Sequence, residues 1–258
     1  MIEETIRQEI MKRIRDAERE HGVEVLYAVE SGSRAWGFES PNSDYDVRFI
    51  YKHPQDWYLA VDLEDKRDVI EYEIVDEIDI NGWDLRKALR LFGKSNPAFV
   101  EWLQSPVVYV DRFGFADKAR QILPEIYSVT RGIHHYRSMA IGNYRQHLDK
   151  ESVILKKYFY VLRALFSILW LEKFQQPAPI EFDKLRELIA ENRQISDIIE
   201  DLLKRKRVSS EKEHGEPIHE LNEYVDVELK RLESFNDRCT KKSPANLLNG
   251  LFRECLAR

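Results

Sequence analysis

The sequence predicts an α+β fold: a mixed sheet with helices in its N-terminal part, followed by an all-α helical C-terminal part. Strand-like segments fall only within residues 23–110. Beyond residue 115, apolar side chains recur at helical spacing instead of alternating. The change of pattern places a boundary near residue 112, giving a sheet domain over 1–112 and a helical domain over 113–258 that completes a cleft.

Ile2, Ile6, Ile10 and Ile14 repeat every four residues and predict a first helix over 2–20. His21-Gly22 ends it, glycine being the usual residue just past a helix C-terminus. Val23 to Val29 is apolar and β-rich and predicts a buried strand that runs into Glu30-Ser-Gly-Ser-Arg34. Pro41-Asn42-Ser43 is turn chemistry, and Asp44 to Tyr51 alternates as a second strand. A third strand is expected over Asp68 to Ile80, with Ile70, Tyr72, Ile74, Ile78 and Ile80 on one face and Asn81-Gly82 breaking it. Trp83 to Phe92 and Pro97 to Leu103 predict helices, and Val107 to Val110 a closing strand.

Further helices are expected over Thr130 to Leu148, Ser152 to Phe174, Phe182 to Asn192, Ile195 to Lys206 and Ile218 to Phe235. Lys204 to Arg207 and Ser209 to Gly215 are expected as an exposed connection, because nothing in them favours burial.

Composition narrows the function classes. The chain has 258 residues, 43% hydrophobic and 33% charged, which suits a globular core. A net charge of −6 argues against a general nucleic-acid coat protein but leaves local nucleotide binding open. Two cysteines, Cys239 and Cys255, allow neither a disulfide framework nor a cysteine zinc site. No apolar run reaches the ~20 residues a membrane helix needs. The acidic amphipathic N-terminus does not read as a signal peptide, so a cytoplasmic protein without membrane partners is expected.

The chemistry gathers at one place. Asp44 and Asp46 stand two residues apart on an expected strand, which directs both carboxylates to one face. Adjacent carboxylates repel unless a cation lies between them, and hard oxygen donors suit Mg²⁺. Gly32-Ser33 ends the preceding strand. Glycine there admits a closely approaching ligand, and a helical turn over Arg34-Ala35-Trp36 would aim free N–H groups at phosphate. Strand, Gly-Ser, short helix and Asp-x-Asp in that order set a phosphate-binding backbone beside a divalent-metal site.

The stretch GSRAWGFESPNSDYDVRFIY (32–51) resembles the signature of the DNA polymerase β-like nucleotidyltransferase superfamily: Gly-Ser, a spacer, then Asp-x-Asp. It looks closest to that superfamily's stand-alone bacterial and phage branch, some members of which are associated with RNA repair. INGWDLRKALRL (80–91), NPAFVEWLQSPVVY (96–109), HHYRSMAIGNYR (134–145) and LKKYFYVLRALFSILW (155–170) extend the resemblance over most of residues 23–185. It implies a palm-like sheet and a two-metal transfer of an NMP from an NTP to a hydroxyl, with two Mg²⁺ ions, or Mn²⁺ in their place. The acceptor class it suggests is an RNA end.

The resemblance also implies a third carboxylate on a neighbouring strand, acting as metal ligand and as base for the attacking hydroxyl. Asp79 is the first choice, with Asp84 as the alternate third ligand and Asp76 a further competitor. An acidic residue at the position of Asp84 also has an ordinary role in the helix dipole. Gly32, Ser33 and Arg34 are the expected phosphate-binding residues. Lys156, Lys157, Tyr160 and Arg163 are candidates for triphosphate or base, although such a face also occurs as a basic rim over an aromatic core. Arg137, Tyr144 and Arg145 share that ambiguity, and Trp36, Trp83, Trp102 and Trp170 read as packing residues. The alternatives are a nucleotide-sensing or partner-binding module on the same fold, antitoxin-like, or nucleotidylation of a protein or small molecule. Intact Gly32, Ser33, Asp44 and Asp46 weigh against a pure binder.

Overall fold

The structure is a computed structural model describing residues 2–208, 214–235 and 244–257. Helix α1 (Glu4–His21) closes on Gly22, which takes the left-handed conformation with φ 62°. Strand β1 (Glu24–Glu30) is buried along almost its whole length. It leads through the short helix α2 (Gly32–Trp36) to β2 (Tyr45–Lys52). After α3 (Gln55–Tyr58) come β3 (Val69–Glu71), β4 (Ile78–Asp84), α4 (Leu85–Gly93), α5 (Pro97–Trp102) and β5 (Val108–Asp111). The strands form one mixed sheet in the order β3-β4-β2-β1-β5, in which β2 and β4 run parallel and the other neighbours antiparallel.

The expected single strand over 68–80 is two strands. Asp76 and Glu77 adopt φ of 52° and 61°, and this left-handed pair reverses the chain after Val75, which bridges back to Ile78. Asn81-Gly82 does not break the strand but continues it. Gly82 lies under the ring of Phe49, its partner on β2, and a Cβ there would come within 2.2 Å of that ring. Trp83 is therefore a strand residue, and helix α4 starts only at Leu85, capped by Asp84.

Each face of the sheet has its own core. Helix α1 lays Ile10 and Ile14 against Val25, Val47, Phe49, Ile78 and Ile80 on one face. On the other, α4, α5 and α6 (Phe115–Ile126) pack Leu89, Phe92, Phe99 and Phe115 on Leu26 and Ile50.

The helical part follows: α7 (Val129–His147), α8 (Lys157–Phe174), α9 (Phe182–Arg186), α10 (Arg193–Val208) and α11 (His219–Glu233). Helix α8 starts later than expected because Val153–Ile154 (β6) pairs with His214–Gly215 (β7). Phe182–Asn192 is only partly helical: α9 gives way to a 3₁₀ turn over Glu187–Ile189. Lys204 to Arg207 is the last turn of α10 rather than a connection; Lys204, Arg205 and Arg207 are exposed, whereas Lys206 is buried with its ammonium over the ring of Phe38. Of the connection expected over 209–215, residues 209–213 lie outside the described ones. A final helix, α12 (Ala245–Leu256), unread in the sequence, returns to the sheet and adds Leu251 and Cys255 to the core beneath α4 and α6. Ala35, Trp36 and Phe38 belong to the core of the helical part, so α2 sits where the sheet meets the helices.

Candidate active site

Gly32 is in the left-handed region, with φ 59°, and faces the carboxylate of Asp46. A Cβ on Gly32 would lie 1.9 Å from Oδ2 of Asp46. Only glycine allows the α2 turn and the carboxylate to touch in this way. Ser31 precedes α2 and donates its N–H to the carbonyl of Asp46 at 2.8 Å, but its side chain does not cap the helix. Ser33 lies half-buried in the first turn of α2. The first-turn N–H groups, without intrahelical acceptors by geometry, therefore open beside Asp46.

Glu30 is a site residue that the sequence reading passed over. It is fully buried at the end of β1, accepting from the backbone N–H of Asp46 at 2.9 Å and the hydroxyl of Tyr109 at 2.6 Å. Burial pushes its carboxyl up to about 7 against the lowering effect of both hydrogen bonds. The signal available was a carboxylate closing a wholly apolar strand just before Gly-Ser. Its two bonds fix the backbone from which Asp46 projects.

Arg34 does not project freely from α2. Its guanidinium donates to the carbonyls of Ser43 at 2.7 Å and Asp44 at 3.3 Å and stacks over the ring of Tyr45. It thereby straps the loop carrying Asp44, an exposed residue just ahead of β2.

Asp79 stands in register with Asp46 on the parallel strand. Between the two lies Arg48, the second residue that the sequence reading missed. Its Nη2 donates to Oδ1 of Asp46 at 3.1 Å and Oδ2 of Asp79 at 2.7 Å, and its Nη1 to the carbonyls of Val47 at 3.0 Å and Asp79 at 2.9 Å. Asn81 donates to the other oxygen of Asp79 at 2.5 Å. Period-2 spacing from Asp46 was the signal that pointed to Arg48.

The other carboxylates are elsewhere. Asp84 pairs with Tyr51 at the far end of β4, where it is buried, accepts from the Tyr58 hydroxyl at 2.6 Å and caps α4 through the Arg86 N–H at 2.8 Å. Burial raises its carboxyl above the ordinary range. The structure thus separates Asp84 from Asp46 by five residues of strand, roughly 16 Å. Asp76 is exposed on the turn before β4 and pairs with Arg13.

On α8, Tyr160 meets the ring of Trp36 edge-on at 5.4 Å, and Lys157 lies over the Tyr160 ring. Lys156 immediately precedes the helix, and its side chain does not cap it. This end of α8 therefore abuts α2. Arg163 packs over the ring of Trp36 and is only 3% exposed. It donates to Glu101 of α5 at 2.6 Å, and Glu101 also accepts from Tyr136. Its charge is thus engaged in a buried pair joining α5, α7 and α8.

Asp44 and Asp46 offer hard oxygen donors at the head of β2; Oδ1 of Asp46 accepts from Arg48, and both oxygens of Asp79 accept hydrogen bonds. Among the described residues no three His, Cys, Asp or Glu side chains form a closed cage for a metal. A pair of carboxylates fits Mg²⁺, which commonly binds one or two and completes its shell with water and substrate phosphates. Among the described residues no helix is long and apolar enough to cross a membrane.

The chain is similar to known proteins. A protein of Bacillus subtilis strain 168, the uncharacterized protein YcgL, is 42% identical over 228 residues, covering 88% of this chain and 86% of that protein. A crystal structure of a nucleotidyltransferase-like protein from Exiguobacterium sibiricum 255-15 aligns with 95% of this chain and 80% of its own, at 12% identity and a TM-score of 0.36. Residues 6–254 match the RNA repair pathway DNA polymerase beta family, and the chain belongs to that family.

Proposed function

We propose that the protein is a divalent-metal-dependent nucleotidyltransferase that moves an NMP from an NTP to a hydroxyl acceptor, with release of pyrophosphate. The observation that carries this reading is the contact between Gly32 and the Asp46 carboxylate, which sets a phosphate-binding turn against a candidate metal ligand. Membership of a family described by an RNA repair pathway favours an RNA end as the acceptor.

In this reading Asp44 and Asp46 hold Mg²⁺ or Mn²⁺, which when bound supplies charge neutralisation for the triphosphate and the leaving pyrophosphate. The N–H groups of Gly32, Ser33 and Arg34 receive phosphate oxygens at the positive end of α2. Glu30 keeps the Asp46 backbone in place through its 2.9 Å bond. Asp79, aligned with Asp46 by the parallel pairing, accepts the proton of the attacking hydroxyl. Lys156, Lys157 and Tyr160, at the end of α8 that abuts α2, contact the nucleotide, while Arg163 holds α8 to α5. Catalysis is then positioning and electrostatics, as in phosphoryl transfer generally.

The test is incubation of the protein with each labelled NTP, Mg²⁺ and, separately, RNA ends, a protein mixture or no acceptor. Labelled RNA with stoichiometric pyrophosphate, absent with Asp46→Asn, is the expected result. Label on protein alone would reject the RNA acceptor, and no product with any NTP would reject the transferase reading.

A further inference from the structure

Arg48 accounts for an electrostatic problem that the sheet creates. Parallel pairing places Asp46 and Asp79 side by side, on strands about 4.8 Å apart, where two carboxylates repel. The guanidinium of Arg48 sits between them, and it is held by four bonds: two to carboxylate oxygens and two to the carbonyls of Val47 and Asp79. These bonds engage Nη1 and Nη2 alike, so the group cannot swing aside without losing all four. With side-chain exposures of 20% for Arg48, 26% for Asp46 and 19% for Asp79, the pairs are only partly open to screening by solvent. Asn81 occupies the remaining oxygen of Asp79. Asp79 is therefore turned onto protein donors from both sides, and Asp44 has no such bridge to Arg48.

We propose that Arg48 is a positioning residue that stands in the place of a cation between Asp46 and Asp79. It keeps Asp79 out of the metal's ligand set and orients it towards the acceptor. This rests on reading Asp44 and Asp46 as the divalent-cation ligands. Asp44, Asp46 and Asp79 outnumber the guanidinium between them, and the excess negative charge favours a divalent ion. The protein without nucleotide thus takes one ion, and a second has to arrive with the charge of the triphosphate. A guanidinium serves here because its planar fork fits two carboxylates and two carbonyls together.

Calorimetric titration of the full chain with Mn²⁺, without nucleotide, tests this. Wild type should bind one ion, and Asp46→Asn should weaken it at least tenfold. Arg48→Met should bind Mn²⁺ about tenfold more tightly or take a second ion, because the site becomes more negative. Arg48→Lys, which keeps the charge, should stay near wild type. A purely structural role for Arg48 would loosen the strand pair and weaken Mn²⁺ binding, the opposite sign. Asp79→Asn should leave the affinity within about threefold, and it serves where thermal melting shows that Arg48→Met does not fold. Arg48→Met binding no more tightly than wild type, or Asp79→Asn losing tenfold, overturns the proposal while leaving the cation site standing. Wild type whose Mn²⁺ binding Asp46→Asn does not weaken, or that binds none, overturns the cation site and the role of Arg48 with it.

Discussion

The backbone of Gly32 and the carboxylate of Asp46 share a space too small for one more carbon: a Cβ on Gly32 would meet Oδ2 of Asp46 at 1.9 Å. Gly32→Ala would both collide with that carboxylate and hold a non-glycine residue at φ 59°, at a conformational cost of about 1–2 kcal/mol. Nucleotide transfer should fall by ~10²-fold or more, because turn and carboxylate move apart together. Thermal melting and titration with a non-hydrolysable NTP measure the two effects. Unchanged nucleotide affinity in a folded Gly32→Ala protein would place the triphosphate away from α2.

Asp46→Asn tests the carboxylate without altering the shape of the site. Folding should be retained, since Arg48 keeps its bonds to Asp79 and to the Val47 carbonyl. Transfer should drop at least ~10³-fold, the several kcal/mol expected of a lost metal ligand. Turnover near that of wild type would falsify the metal-dependent reading.

Glu101 and Arg163 form a buried pair with side chains 7% and 4% exposed. Glu101→Ala leaves the guanidinium uncompensated over Trp36 and should cost about 3–5 kcal/mol. Urea unfolding gives the number. A loss below 1 kcal/mol would mean that Arg163 finds another partner, such as a bound phosphate, and would reopen its assignment as a nucleotide ligand.

Asp84→Ala removes a helix cap and takes away the acceptor of the Tyr58 hydroxyl proton, which together should cost about 2 kcal/mol. Activity per folded molecule should hold within about twofold, because Asp84 lies at the opposite end of β4 from Asp79. A deep loss of activity with intact stability would count against this separation of roles.

His53 sets a pH dependence remote from the candidate active site. Burial, aided by the charges of His21 and Lys66, pushes its imidazole down to about 4, against about 6.5 in an unfolded chain. Between these values the unfolded chain binds more protons than the folded one. The contribution of His53 is therefore complete above about pH 6.5 and is lost as pH falls towards 4. His53→Phe keeps a ring against Trp57, on which His53 stacks at 3.9 Å, and should flatten stability across that window. Urea midpoints at a series of pH values check it, and an unaltered slope would assign the acid loss to other groups.

What the sequence determined by itself is local. A helix ending on Gly22, an apolar strand into Gly32-Ser33, a strand headed by Asp44 and Asp46, and helices after residue 115 all follow from spacings of a few residues, because periodicity records which side of one element is buried. Tertiary structure decided what depends on pairing over distance. The strand expected over 68–80 became two, since Asp76 and Glu77 take a left-handed turn for which their residue types give little warning. Gly82 reads as a breaker in sequence but accommodates the Phe49 ring of a strand more than thirty residues away. The alignment of Asp79 with Asp46, the placement of Arg48 between them and the separation of Asp84 from both all depend on the parallel register of β2 and β4. The chain between those strands does not encode that register locally, and a slip of one residue would turn every one of these side chains to the opposite face.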